Sequence, residues 1–171
     1  PVDSDIVWGG CYNAGLDRIN MKTGHKESVR VWPESPMGSP AGDLKYRFNW
    51  TFPIAISPHD HNKVYVGSQY IHVTTDAGRS WDIISPDLTT NDPAKQQFLE
   101  SGGLTYDATG AENHTTIISI APSPLTEGLI WVGTDDGRLH VPRDGGDSCS
   151  SVEDNLRGVP DNKWLPHIEP S

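Results

Sequence analysis

The sequence predicts an all-β chain built from repeated four-stranded antiparallel units, and three observations predict it. First, the chain repeats itself. Ile56-Ser57-Pro58 followed by Val64-Tyr65-Val66-Gly67-Ser68 parallels Ile120-Ala121-Pro122 followed by Ile130-Trp131-Val132-Gly133-Thr134, and residues 74–81 parallel 142–149. The offset drifts from 64 to 66 to 68 residues, as it does when loops of a true repeat gain small insertions. Second, the apolar segments are short, rich in β-branched and aromatic residues, and bounded by Gly, Pro, Asn and Asp. Third, 17 Gly and 14 Pro are spread along the 171 residues, which suits many turns better than a flexible linker. Radial repetition of such sheets is the logic of a β-propeller, whose blades are the individual sheets.

The elements follow in order. Residues 1–43 hold strands B, C and D of a first blade, at 6–10, 16–20 and 28–32. Residues 44–110 hold a complete blade, with strands A to D at 51–57, 63–68, 71–75 and 81–85. Residues 111–157 hold the next, with strands at 115–121, 129–134, 139–143 and 150–153. Residues 158–171 hold one more strand A, at 164–168, because Ile168-Glu169-Pro170-Ser171 matches Ile120-Ala121-Pro122-Ser123. The one helical expectation is a short turn within 92–99, with Pro93 at its first position. About three blades are too few to ring a channel, since closed propellers have about 4–8. The chain is therefore expected to belong to a larger propeller or to pair into a homo-oligomer, which would cover its exposed blade faces.

The clearest motif is Thr74-x-Asp76-x-Gly78-x-x-Trp81, a complete Ser/Thr-x-Asp-x-Gly-x-x-Trp Asp box. The chemistry is that of a tight turn between strands C and D. The Asp accepts backbone N–H groups of its own turn, Gly supplies a positive φ, and Trp packs between neighbouring sheets. The later copy keeps Asp144 and Gly146 but has Pro142 and Cys149 where the hydroxyl and the Trp belong, so its blade is expected to pack less well. The first copy carries Lys22 in place of the Asp.

These boxes, with residues 44–54, Ile84-Ser85-Pro86-Asp87-Leu88-Thr89 and Trp131-Val132-Gly133-Thr134-Asp135-Asp136-Gly137, resemble bacterial BNR-repeat proteins of the sialidase-like and sortilin-like groups. The resemblance implies an exported chain, periplasmic or extracellular, within a many-bladed propeller. It says little about reaction, because a fold does not carry a function.

Composition narrows the partners. The net charge is −10 and the 13 Lys and Arg do not cluster, which argues against nucleic acid and anionic membranes. No apolar run approaches the ~20 residues of a membrane-spanning helix. Cys11 and Cys149 lack CxxC spacing, so no zinc site is expected; a disulfide and two separate buried thiols both stay open. His59-Asp60-His61 reads as a polar turn rather than a metal site, and no metal or cofactor is expected.

In propellers, ligands meet the starts of strand A and the B–C turns. Here these positions carry Tyr46, Arg47, Asn49, Trp50, Glu112, His114 and Trp164 as ligand-binding candidates. Aromatic rings with Asn and charged residues suit sugars. A sialidase would need three inward arginines, and only Arg47 lies near the start of a strand A. Other glycosidases need two carboxylates at a set separation, for which Asp43, Glu112, Asp135 and Asp136 are conceivable, although Asp135-Asp136-Gly137 reads first as a hairpin turn. The expected function is a non-catalytic recognition propeller binding glycan or protein, with a glycoside hydrolase fragment as the alternative. Asn49-Trp50-Thr51 and Asn113-His114-Thr115 also form N-glycosylation sequons at strand starts.

Overall fold

Strands joined by turns of a few residues pair antiparallel, and every described sheet is such a meander. The computed structural model describes residues 3–12, 14–97, 110, 113–146, 148–160 and 163–170. The first sheet is β1 (Ile6–Cys11), β2 (Gly15–Asn20) and β3 (His25–Ser28). The second is β4 (Ile54–Ile56), β5 (Val64–Gly67), β6 (Ile71–Thr74) and β7 (Asp82–Ile83). The third is β8 (Ile117–Pro122), β9 (Ile130–Thr134), β10 (Leu139–Arg143) and β11 (Ser148–Ser151). Each runs in sequence order, so the molecule is all-β and its sheets are propeller blades. Among the described residues there is no α-helix, and none of their helical turns is long and apolar enough to cross a membrane. The turn expected within 92–99 is a 3-10 turn over Pro93–Lys95, capped by Asp92 Oδ1 accepting from Ala94 N at 3.0 Å.

Three boundaries differ from the sequence reading. The third strand of the first blade is His25–Ser28, not 28–32. Asn20 Oδ1 accepts from the N–H groups of Lys22 and Thr23, each at 3.0 Å, and this tight turn brings His25 opposite Asn20. Asn20 thus does in this blade what the missing Asp was expected to do. Strand A aligns between blades at a constant 66 residues: Ile54 pairs with Val66 as Ile120 pairs with Val132, and Ser57 N bonds Lys63 O as Ser123 N bonds Leu129 O. The Ile-x-Pro match was two residues out of frame, a shift that leaves every side chain on its own face and so escapes a pattern search. Residues 164–168 form no ladder, yet Leu165 N donates to Thr134 O at 3.1 Å, as Ile117 N donates to Ser68 O at 2.7 Å one blade earlier.

The blades stack through their strand-B glycines. A Cβ on Gly67 would stand 2.7 Å from Ile117 Cγ2, and one on Gly133 2.6 Å from Leu165 O. A Cβ on Gly10 would stand 3.1 Å from both Ile54 Cδ1 and Phe52 Cζ. Only hydrogen lets the next strand A come so close. Two apolar clusters fill the junctions. Leu16, Val29, Phe48, Phe52 and Val66 lie between the first and second blades; Ile71, Leu88, Ile117, Ile130 and Val132 lead the cluster between the second and third. Each such side chain contributes on the order of 1.5–3 kcal/mol. The exposed Lys26–Asp17 pair, at 2.9 Å within the first blade, belongs to a class worth about 0–1 kcal/mol.

The Asp box closes the β6–β7 turn. Thr74 Oγ1 donates to Asp76 Oδ1 at 2.8 Å and accepts from Gly78 N at 2.9 Å, while Ser80 N and Ser80 Oγ donate to Asp76 at 2.9 and 2.7 Å. Those Ser80 and Thr74 bonds lower the Asp76 carboxyl to about 2. Gly78 sits at φ +86° against Val29, and Trp81 Nε1 donates to Val29 O at 3.0 Å, so the turn reaches the preceding blade. Gly146 leans in the same way on Ile84, but Cys149, where the Trp would be, bonds only within its own turn, to Gly146 O. Both cysteines are free, and Cys11 is exposed rather than buried because it ends an edge strand.

His72, in β6, is buried between Phe48 and Tyr46, with Nε2 2.7 Å from Ser68 Oγ. Burial lowers its pKa to about 3. A folded-state value below the ordinary 6.5 means that the unfolded chain binds the proton better. His72 therefore leaves stability intact above pH 6.5 and withdraws it as the pH falls from 6.5 towards 3, by at most about 5 kcal/mol. Urea midpoints measured across this window should fall steeply for the native chain and less steeply for His72→Phe; parallel profiles would remove His72 as the cause.

Candidate functional site

In a four-stranded meander the B–C turns and D–A connections emerge on one edge, and the A–B and C–D turns on the other. Tyr12, Trp50, Thr90, His114, Asp135, Asp136, Glu153 and Trp164 therefore share the first edge by topology, and His59, Asp76 and Asp144 the second.

Two of the candidates on the first edge are built into the structure. Arg47 is only 6 % exposed. Its backbone N–H donates to Gln69 Oε1 at 2.8 Å, Nε donates to Thr115 O at 3.2 Å, and one terminal nitrogen donates to Asp87 Oδ2 at 3.0 Å. Asn49 is likewise buried, with Nδ2 donating to Thr116 Oγ1 at 3.1 Å and lying 3.4 Å from both Asn113 O and Asp135 Oδ2. Arg47 and Asn49 thus tie the approach to β4 onto the residues before β8. Asn113 Nδ2 completes the exchange by donating to Phe48 O at 2.9 Å. Both sequon amides are consumed as buried donors, so neither is open to a glycan in the folded chain.

The same network fixes the carboxylates. Asp135 is fully buried and accepts from Thr116 N and Thr116 Oγ1 at 2.9 and 2.7 Å. Burial pushes its carboxyl up, against the lowering pull of the Thr116 bonds and of His114, whose Nδ1 is 3.8 Å away. Asp136 is 2 % exposed and accepts from Thr90 N and Thr90 Oγ1 at 2.7 and 2.8 Å. Thr115 sits at φ +59°, unusual for a β-branched residue, and is held there through Arg47 and through Gln96 Nε2 donating to its Oγ1 at 3.1 Å. Sequence reading did not single out Thr115, Asp87 or Gln96 as site residues: the first two stand in motifs that do not mark them as partners of Arg47, and Gln96 stands in none.

The exposed candidates are the aromatic ones. Tyr46 is half-buried, edge-on to Trp32 and Tyr70, with Lys45 Nζ 3.4 Å above the Trp32 ring. Trp50 is 57 % and Trp164 56 % exposed. Trp50 pairs with Tyr12, which the sequence reading passed over although it lies in the β1–β2 turn facing the start of strand A; the ring centroids are 6.0 Å apart. His114 is partly buried, with Nδ1 accepting from Thr115 N at 2.8 Å. Glu112 lies outside the described residues.

Among the described residues, two grooves of several hundred Å³ open on this edge. One, of about 480 Å³, is lined by Gly10, Cys11, Tyr12, Trp50, Phe52 and Ile54 with Thr51. The other, of about 450 Å³, includes Thr90, Asp136, Arg138, Glu153 and Asp154. Burial would raise the Glu153 carboxyl, but hydrogen bonds from Ser151 and from Arg138, whose Nη1 is 2.6 Å away, prevail and hold it at about 2. On the opposite edge, His59 Nε2 bonds Ser123 O at 2.9 Å and Ser57 Oγ accepts from His59 N and Asp60 N at 3.2 and 3.3 Å. The His59-Asp60-His61 segment is thus a hydrogen-bonded turn, and no cluster of three or more metal-ligating side chains occurs among the described residues.

No protein-family model and no curated protein matches the chain. Solved structures match it in fold. The GH74 xyloglucanase from Xanthomonas campestris superposes on 94 % of this chain with a TM-score of 0.55 at 20 % identity, over 23 % of its own length. An ancestral GH74 enzyme superposes on 89 % with a TM-score of 0.52 at 20 % identity, over 17 % of its length. The chain therefore spans less than a quarter of either relative, and the likeness shows a run of β-propeller blades.

Arg47 and Trp50 should separate by stability. Arg47→Ala leaves Asp87 without its partner and Thr115 O unbonded, and should cost about 3 kcal/mol in urea unfolding. Trp50→Ala, at an exposed ring, should stay within about 0.5 kcal/mol of the native chain. Equal losses would mean that Trp50 is a core residue.

Proposed function

We propose that this chain is part of a recognition propeller that binds a glycan through the edge carrying Tyr12, Trp50 and Trp164, and does not hydrolyse it. One observation carries the reading: on that edge the large aromatic rings are exposed, while Asp135 is fully buried and Asp136 is only 2 % exposed, its carboxylate taken up by Thr90 and Thr134. Sugar faces stack on exposed rings. A glycosidase needs two carboxyls that reach the scissile bond, one of them an acid with a raised pKa. Asp135 has the raised pKa but no exposure, and Glu153 is held ionised by Ser151 and Arg138. The likeness to GH74 enzymes is one of fold and lends no weight to hydrolysis.

The Asp-box turn with its Trp81 contact supports placing the chain among BNR-repeat propellers. In that setting the blades divide at 43/44, 110/111 and 157/158, and the protein is exported and completes its ring within a longer chain or with further copies.

A glycan array read beside a panel of chromogenic glycosides tests the proposal. Binding of at least one glycan without turnover of any glycoside is the expected result. Turnover that a carboxylate variant abolishes would make the protein an enzyme, and binding of a protein ligand with no glycan bound would make it a protein-recognition module.

A further inference from the structure

We infer that the groove at Tyr12 and Trp50 is a subsite for an uncharged pyranose chain, an inference that rests on the glycan reading above. The first ground is ring geometry. Elsewhere in the molecule, pairs of Trp, Tyr and Phe rings meet edge to face: Trp8–Trp81 at 82°, Trp32–Tyr46 at 85°, Tyr46–Tyr70 at 88° and Phe48–Phe52 at 72°. Those angles suit packing. Tyr12 and Trp50 instead tilt by only 34° at 6.0 Å between centroids and are 49 % and 57 % exposed, so this pair is not closed edge to face and leaves about half of its surface to solvent. A sugar ring has an apolar face that such a pair covers.

The second ground is charge. Among the described residues lining this groove there is no Asp, Glu, Lys, Arg or His, in a chain of net charge −10 whose other groove on the same edge holds Asp136, Arg138, Glu153 and Asp154. A uronic or sialic acid would find no counter-charge there. The hydroxyl of Thr51 is turned inward to Asn49 Oδ1 at 3.4 Å, so stacking rather than a hydrogen-bond array selects the ligand.

The third ground is rigidity. Trp50 sits in a turn closed by Thr51 N donating to Asn49 Oδ1 at 3.2 Å and Phe52 N donating to Asn49 O at 3.3 Å, and Asn49 is itself anchored across the blade junction. The ring is presented by a turn that is already ordered, which lowers the entropy lost on binding.

Cys11 lines the same groove and is exposed, whereas Cys149 is partly buried in another blade, so the two thiols supply a site reporter and an internal reference. Alkylation of the whole chain by a maleimide, followed by mass spectrometry of each cysteine, tests the inference. Cellohexaose at ten times its dissociation constant should slow Cys11 by about tenfold and leave Cys149 unchanged. Trigalacturonate and sialyllactose should not protect, and Tyr12→Ala and Trp50→Ala should abolish protection while Trp164→Ala retains it. If calorimetry shows a neutral oligosaccharide bound with Cys11 unprotected and both ring variants unaffected, the subsite is elsewhere and the inference falls while the glycan reading stands. Protection by an acidic sugar overturns the charge argument. If no glycan of either kind binds, the inference and the glycan reading fall together.

Discussion

The fold depends on how closely one blade approaches the next at a single residue of strand B. Gly67 accepts the following strand A, and Gly133 the segment at Leu165, at a distance that a methyl group would block, and the backbone bonds Ile117 N to Ser68 O and Leu165 N to Thr134 O lie immediately beside them. The approach sets the thickness of each junction. At that spacing Ile71, Ile117, Ile130 and Val132 close into one cluster, and Arg47 and Asn49 reach the residues before β8. A junction wider by a methyl group would lengthen these hydrogen bonds and open the apolar seam, so packing and polar contacts fail together.

The polar half of the junction explains why so few of the polar side chains expected at the candidate edge are free. Charged and amide side chains at the starts of strand A look like ligand groups in sequence, yet Arg47, Asn49, Asn113, Asp135 and Asp136 are each occupied by partners inside the fold. Buried charges and amides are retained only with partners, and losing one leaves the rest unsatisfied. What remains for a ligand is aromatic surface at Tyr12, Trp50 and Trp164, with a separate charged groove near Glu153. The proposed recognition by stacking rests on this division of labour.

The repeat and the Asp box made most of the architecture legible, because both are periodic or local: Val64–Gly67 and Ile130–Thr134 announce strand B directly, and Thr74, Asp76, Gly78 and Trp81 sit within one turn. Frame was harder, since the two-residue slip between Ile56 and Ile120 preserves facing. The turn through Asn20 was hidden because Asn stands earlier than the expected Asp. At the site, the positions of Trp50 and Trp164 could be read from strand order, but the burial of Arg47 and Asn49 could not. Their partners Asp87, Thr115 and Asp135 are 40 to 86 residues away, and no local motif links them to Arg47 or Asn49, so only the stacked blades bring them together.

The measurement that tests this account most directly is the urea stability of Gly67→Ala against Gly9→Ala. Gly9 has no atom within 4 Å of an added Cβ, while Gly67 would meet Ile117 and Pro53 at 2.7 and 2.9 Å. Overpacking at such a contact costs about 1–3 kcal/mol, so Gly67→Ala should unfold at a clearly lower urea concentration and Gly9→Ala at or above the native midpoint. A Gly67→Ala chain as stable as Gly9→Ala would contradict the claim that this close approach holds the blades in place.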